Sequence, residues 1–351
     1  MSDEQITDFK HFIRLIGRGQ RAGRTLTISE AQQAMSMLIN GQATPEQKGA
    51  FLMLLRVREE TAEELAGFTL AFRSFNHPDL AGLKVDLDMG CYAGKRRHLP
   101  WFLLASLLLA QSGKRVFMHG THEPDSKRLY LKEVLPQLGL LVSTTVDDAR
   151  SSLEQVGLAY MDLASFNSPL EEIIQLREQF GLRSCANTLA RMLNPSSAPF
   201  SLQGVFHRNV DEKHSQTACL LKAANTVCFR GEGGEVEFNP ERDVTLHLAR
   251  HGQATTMEVS SSTQSWALKP KELVVAQMVD LWCGKIQDSY AEQAIIGTLA
   301  IMLVLTEQLP WPNAQLRAMQ LWQARDLSWP LKLPQLESSF AFNTQGKFYA
   351  H

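Results

Sequence analysis

The chain lacks a strong net charge: 35 Lys and Arg stand against 37 Asp and Glu, a formal balance of −2 over 351 residues. That excludes a globally basic field, so any contact with nucleic acid must come from a local patch. Its five cysteines, Cys91, Cys185, Cys219, Cys228 and Cys283, form no CxxC pair and no zinc-type spacing. This excludes a disulfide scaffold or structural zinc site and fits reduced, mostly buried thiols. The opening "MSDEQITDFKHF" has no apolar signal core, and no apolar run approaches the roughly 20 residues of a membrane span. The longest runs, in "WFLLASLLLA" and "AIIGTLAIMLVL", suit buried helices. Internal repeats and low-complexity segments are missing as well. A cytoplasmic protein without a membrane partner is expected.

What is present is ordinary globular material, 44% hydrophobic and 21% charged, long enough for two domains with substantial cores. Residues 1–75 read as a helical subdomain. "TISEAQQAMSMLIN" offers Ser29 as N-cap, Thr44 precedes Pro45 and Gln47, and Thr61 precedes Glu64 in capping-box spacing. Spacing gathers Ala50, Leu54 and Val57 on one helix face and Leu65, Phe68 and Phe72 on another. From about residue 84, the strand-like runs "KVDLDMG", "RVFMHG", "LAYMDLA", "NTVCFRG" and "DVTLHLA" alternate with helical segments at 100–112, 126–138, 210–224, 271–285 and 289–308. This predicts an α/β domain over residues 80–326 with a mostly parallel central sheet flanked by helices, and leaves room for some of those helices to return to the small subdomain. Residues 327–351, with Pro330 and Pro334, read as an extended arm.

The chemistry concentrates in "DLDMGCYAGKRRHLPW", residues 86–101. It starts like a phosphate loop, a strand end followed by Gly90 and Gly94, where bare backbone N–H groups can hold an anion. It then runs into Lys95, Arg96, Arg97 and His98. The segment "LTISEAQQAMSMLINGQATPEQKGAFLMLLRVREETAEELAGFTLAFR" closely resembles the N-terminal subdomain of the anthranilate phosphoribosyltransferase family. "HGTHEPDSKRLYLKEVLPQLG", "LREQFGLRSCANTLARMLNP" and "GVFHRNVDEK" are similar to later motifs of that family, in order, over about residues 10–325. The resemblance implies a cleft between the two domains that binds phosphoribosyl pyrophosphate with magnesium, and a dimer joined through residues 1–75.

The same resemblance exposes departures. The family's Gly-Thr-Gly-Gly-Asp-Gly loop is matched by Gly90-Cys91-Tyr92-Ala93-Gly94-Lys95, with a bulky Tyr92 where backbone should approach pyrophosphate. The hydroxyl and amide donors that follow are replaced by Leu99, Pro100 and Trp101. The family's Asp-Glu magnesium pair aligns with Val236 and Glu237, and a strict octahedral ion cannot use valine. No metal and no magnesium cofactor is therefore expected, and Glu232, Glu235 and Glu237 read as a solvated acidic turn. The chain resembles the divergent YbiB-type branch of the family, which lacks these motifs and is associated with nucleic-acid binding.

Cations accumulate where carboxylates are lost. Residues 91–132 hold eight Lys or Arg against Glu123 and Asp125, a local +6, and residues 9–24 hold five with no acid. Arg14, Arg18 and Arg21 share one helix face by spacing. The expected polyanion contacts are Lys95, Arg96, Arg97, His98, His119, His122, Lys127, Arg128, Arg183, Arg191, His207, Arg208, Arg18 and Arg21. Tyr92, His98, Trp101 and Phe206 are candidate stacking faces, although Trp101 and Phe206 suit a core better. Each cation also has a bland reading: Lys95-Arg96-Arg97 as a solvated turn, Arg177 and Arg183 as cleft braces, Arg14 and Arg18 as partners of Glu30. Two functions remain. The first is backbone-directed, low-specificity binding of single-stranded DNA or RNA by a homodimer with no catalytic residue. The alternative is a phosphoribosyltransferase or nucleoside phosphorylase acting on another aromatic or nucleobase substrate, with cations in place of magnesium.

Overall fold

The structure, a computed structural model, describes residues 8–328 except Gln20, 124–125, 223–224 and 264–269. The expected C-terminal arm thus lies almost wholly outside the described residues. Four helices open the chain: α1 (Lys10–Gly17), α2 (Ile28–Ile39), α3 (Pro45–Arg58) and α4 (Ala62–Arg73). Thr44 and Thr61 cap α3 and α4 in full capping boxes with Gln47 and Glu64. The α2 cap is Thr27 rather than Ser29, because Thr27 has Glu30 three residues on to close the box. Arg24, not Arg14 or Arg18, holds Glu30, and that bond lowers the Glu30 carboxyl to about 2. Leu65, Phe68 and Phe72 are buried as expected, but α3 buries Phe51, Leu52 and Leu55. Of the expected Ala50–Leu54–Val57 face, Leu54 packs partly buried against this core, while Ala50 is exposed and Val57 is 85% exposed.

The sheet comprises β1 (Leu87–Cys91), β2 (Val116–Gly120), β3 (Val142–Ser143), β4 (Leu158–Asp162), β5 (Phe200–Val205), β6 (Asn225–Arg230), β7 (Val244–Arg250) and β8 (Gln253–Val259). Their order is β3-β4-β2-β1-β5-β6-β7-β8. The first six are parallel, and β7 and β8 add an antiparallel ribbon. Strands β3, β5 and β8 escape the sequence reading. The first has only two residues, and β8 is almost entirely exposed, so neither carries an apolar alternation.

Between the strands run α5 (Trp101–Gln111), α6 (Leu131–Gln137), α7 (Val146–Val156), α8 (Leu163–Phe166), α9 (Ser168–Gln175), α10 (Arg177–Phe180), α11 (Ala186–Leu189) and α12 (Val210–Leu220). Then come α13 (Ala276–Trp282), α14 (Ser289–Thr306) and an unanticipated α15 (Trp311–Gln323). The helix expected from residue 126 starts only at Leu131, because Leu129 pairs in extended form with Lys95. By length and composition α14 alone among the described helices is apolar enough to cross a membrane, yet 78% of it is buried. It packs on α5 and α15 as the central core helix. Residues from 146 to 198 return to the small subdomain and share its core. Arg73 fastens the two by donating to the Met192 and Leu193 carbonyls.

The parallel order reverses between β1 and β5. In such sheets the crevice at the carboxyl ends of the two diverging strands is the default ligand position. Here it is walled by the loop after Cys91 and the loop after Val205.

Candidate functional site

The loop after β1 is filled from within. Ala93 and Gly94 both donate their backbone N–H to Glu235 Oε1, at 2.7 and 2.5 Å. Glu237 Oε2 accepts the Phe102 N–H at the start of α5 at 2.9 Å, and its Oε1 lies 2.5 Å from Lys95 Nζ. Lys95 is 2% exposed and Glu237 fully buried, so the expected solvent-facing lysine is a core ion pair. Burial pushes the Glu235 carboxyl up against the pull of Arg191 and the two N–H groups. It pushes Glu237 up to about 7 despite Lys95. The acidic turn is therefore not solvated.

Both loop glycines serve close packing within the chain. A Cβ on Gly90 would meet the Arg191 Cα at 2.9 Å, and Gly94 (φ +67°) lies against the Tyr130 ring. Tyr92 is buried, its hydroxyl 2.6 Å from His119 Nδ1, and His119 Nε2 is 3.2 Å from Asp88 Oδ1. A proton on Nε2 facing Asp88 lets Nδ1 accept from the tyrosine.

Magnesium, implied by the resemblance, finds no suitable donor set. Glu235 and Glu237 are committed to N–H groups and Lys95, while Glu232 accepts from Asn239 Nδ2 at 2.7 Å and lies near Arg242. Among the described residues no group of three His, Cys, Asp or Glu side chains converges as a metal site. The residues present do not fit the ion.

The other expected contacts divide. His119 is fully buried. Arg191 is buried, donating to the Gly204 and Asn187 carbonyls. His98 is buried and stacked on Tyr290 with ring centroids 4.0 Å apart. His119 and His98 cannot meet a strand in solvent, Arg191 reaches the cleft only as a mostly buried part of one cavity wall, and Tyr92 and Trp101 are likewise core rather than stacking faces. Arg183 and Arg177 both bind Glu123, so they brace the cleft. Arg128 ties the loop down by donating to the Ala93 and Gly94 carbonyls. His122 is half-buried beside Tyr130. Arg18 and Arg21 are exposed, but α1 ends at Gly17, so no helix face aligns them, and they line none of the cavities of this cleft.

Arg96, Arg97, Lys127, His207 and Arg208 remain exposed at or near the crevice. Phe206 is 64% exposed rather than core, because β5 ends at Val205 and releases it into the opening. Two cavities meet there. One of about 360 Å³ is lined by Arg96, Arg97, Arg128, Arg230, Arg242 and Phe206, together with the carboxylates Glu232 and Asp243. The second, about 500 Å³, is lined by Arg56, Arg128, Arg183, Arg208, Lys213 and Phe206, and also by Glu59 and Glu60. Arg56, Lys213, Arg230 and Arg242 went unread in the sequence. Arg230 had a signal: it closes β6, at the carboxyl edge where ligands collect. Arg96, Arg97, Arg208 and Arg230 form no ion pair among the described residues. All five cysteines are free thiols, three of them buried.

Comparison with known proteins places this geometry. The helical bundle domain of a glycosyl transferase family matches residues 10–75, and the a/b domain of that family matches residues 102–303. Anthranilate phosphoribosyltransferase from Thermomicrobium roseum is 28% identical over 255 residues, 72% of this chain and 71% of the relative. That of Desulfitobacterium hafniense is 28% identical over 280 residues, covering 78% and 77%. Among solved structures, anthranilate phosphoribosyltransferase from Thermus thermophilus superposes with a TM-score of 0.72 at 20% identity, covering 90% of this chain and 94% of that one. The Saccharomyces cerevisiae protein in complex with PRPP and Mg gives 0.69 at 16% identity, covering 90% and 93%. With both of its domains matched in order, the chain belongs to the anthranilate phosphoribosyltransferase-like glycosyl transferase family.

Proposed function

We propose that this chain binds single-stranded nucleic acid, DNA or RNA, along the switch-point cleft through its phosphates, and performs no magnesium-dependent phosphoribosyl transfer. One observation carries the reading: an exposed Phe206 separates two cavities whose walls include Arg96, Arg97, Arg208 and Arg230, four arginines that form no ion pair among the described residues. Phosphates attract spread Lys and Arg without sequence readout, and an aromatic face between them takes a base. The resemblance to the YbiB-type branch supports the same reading. In anisotropy titrations with a labelled single-stranded oligonucleotide, Phe206→Ala is expected to weaken binding about tenfold with no change in melting temperature, the lower end of what one base–aromatic stack contributes. Absence of saturable binding by the parent chain at low salt overturns the proposal.

The second reading, transfer of a pentosyl group, is favoured by membership of the family itself. Calorimetry with phosphoribosyl pyrophosphate and Mg²⁺ separates the two. The nucleic-acid reading expects no saturable isotherm at millimolar ligand, and a metal-dependent one favours the transferase.

The proposal includes a homodimer through the small subdomain, supported by the resemblance and by the exposed Val57 of α3. A two-fold would set two clefts on one strand. Light scattering is expected to give the dimer mass at micromolar concentration, and a monomer there removes this part.

A further inference from the structure

The geometry points to a resident anion mimic: we propose that Glu235 and Glu237 occupy the chain's own phosphate cradle, so that the fold still builds a diphosphate-binding site and keeps it filled. The cradle has the parts such a site needs. Gly94, at φ +67°, turns two successive amides, Ala93 and Gly94, onto a single point. Successive N–H groups converging in this way form an anion nest. A short distance on, the N-terminal turn of α5, an 11-residue helix, presents the Phe102 N–H, and Lys95 Nζ converges on the same position. An N–H at a helix start beside a lysine is a second anion station.

Both stations are taken by carboxylates two residues apart on one segment. Glu235 fills the nest and Glu237 the helix start, while Val236 and Phe238 anchor the segment in the core. The other Glu235 oxygen, Oε2, is buried with no hydrogen-bond partner among the described residues. A carboxylate with an idle buried oxygen is what results when a larger tetraoxo anion is imitated by a smaller planar one.

The insert has little slack. A Cβ on Gly204 would come within 2.4 Å of the Glu235 carbonyl, and one on Gly231 within 1.7 Å of the same oxygen. Glycine at both places lets the segment lie flush against its neighbours. An incoming phosphate is thereby confined to the arginine side chains at the rim. Such contacts are weakly selective for geometry, as a polyanion surface requires and a transferase does not. The mimic stands whether or not the cleft binds a nucleic acid.

The probe is inorganic pyrophosphate, titrated without metal into the parent, Glu235→Ala and Glu235→Gln. The parent and the Gln variant, whose side-chain carbonyl can still accept from the two amides, are expected to show no saturable isotherm. Glu235→Ala is expected to gain saturable binding, at least about tenfold tighter than the parent, as two charge-assisted N–H donors are freed. Pyrophosphate bound by the parent with perturbation of the Ala93 and Gly94 amides overturns the proposal, as does a folded Glu235→Ala that gains nothing. Should that variant fail to fold, amide hydrogen exchange on the parent decides. Ala93 and Gly94 lie outside helix and strand, yet their N–H groups are expected to be strongly protected without ligand, and fast exchange there overturns the mimic.

Discussion

Lys95→Ala is expected to destabilise the folded chain by about 3–5 kcal/mol, the cost of stranding a buried charge whose partner has gone. The pair it breaks is 2% and 0% exposed with Nζ and Oε1 2.5 Å apart. Glu237 would keep only the Phe102 N–H. The pH dependence gives a second readout. A carboxyl raised from 4.5 to about 7 in the fold binds its proton more tightly folded than unfolded. Its contribution therefore favours the fold at low pH and declines as pH rises from about 4.5 to 7. Lys95 lowers that carboxyl, so its removal raises it further and carries the decline to higher pH. Urea denaturation should find a larger deficit for the variant at pH 8 than at pH 6. Lys95→Met/Glu237→Gln should recover most of the loss, since it removes both charges and keeps an acceptor for Phe102. A single variant within about 0.5 kcal/mol of the parent, the range of an ordinary surface substitution, would mean that the pair is not a core element.

Arg96→Glu/Arg97→Glu is expected to weaken single-stranded DNA binding without loss of stability, because both side chains are exposed and unpaired among the described residues. Each arginine–phosphate pairing removed from a single strand should shallow the slope of log K against log salt by about 0.7. Two such pairings give a change of about 1.4, which amounts to roughly 25-fold of salt-sensitive affinity over a decade in salt. Lys95 must be left intact in this experiment, or unfolding will imitate weakened binding. Affinity and slope equal to the parent's would show that these arginines are a solvated turn. Weaker affinity with an unchanged slope would point away from phosphate recognition.

Particular residues show where sequence reasoning reaches and where it stops. Thr44 with Gln47 and Thr61 with Glu64 can be read because a capping box is complete within four residues. The Thr27 box is hidden by Ser29, an equally suitable cap two residues on, although the same Glu30 signal is present. Phe206 reads as core from its type alone and is not, because exposure depends on where β5 ends, and that strand lacks a clear pattern of its own. The cationic run 95–97 is legible as the centre of the question, but its three residues have opposite fates: Lys95 turns inward, while Arg96 and Arg97 face solvent.

By itself the sequence determined the class of the chain: the capped helical subdomain, the strand–helix alternation of a largely parallel sheet, and the family. These rest on short-range patterns and on motifs in order along the chain. Only the tertiary structure decided what fills the loop. Glu235 reaches Ala93 and Gly94 across 142 and 141 residues, and Glu237 reaches Lys95 across 142. Charge type along a sequence does not say which carboxylate a sheet will carry to which amide. That pairing follows from β1, β5 and β6 lying side by side, which brings the turn after β6 beneath the loop after β1 and turns an acidic stretch into the loop's own anion.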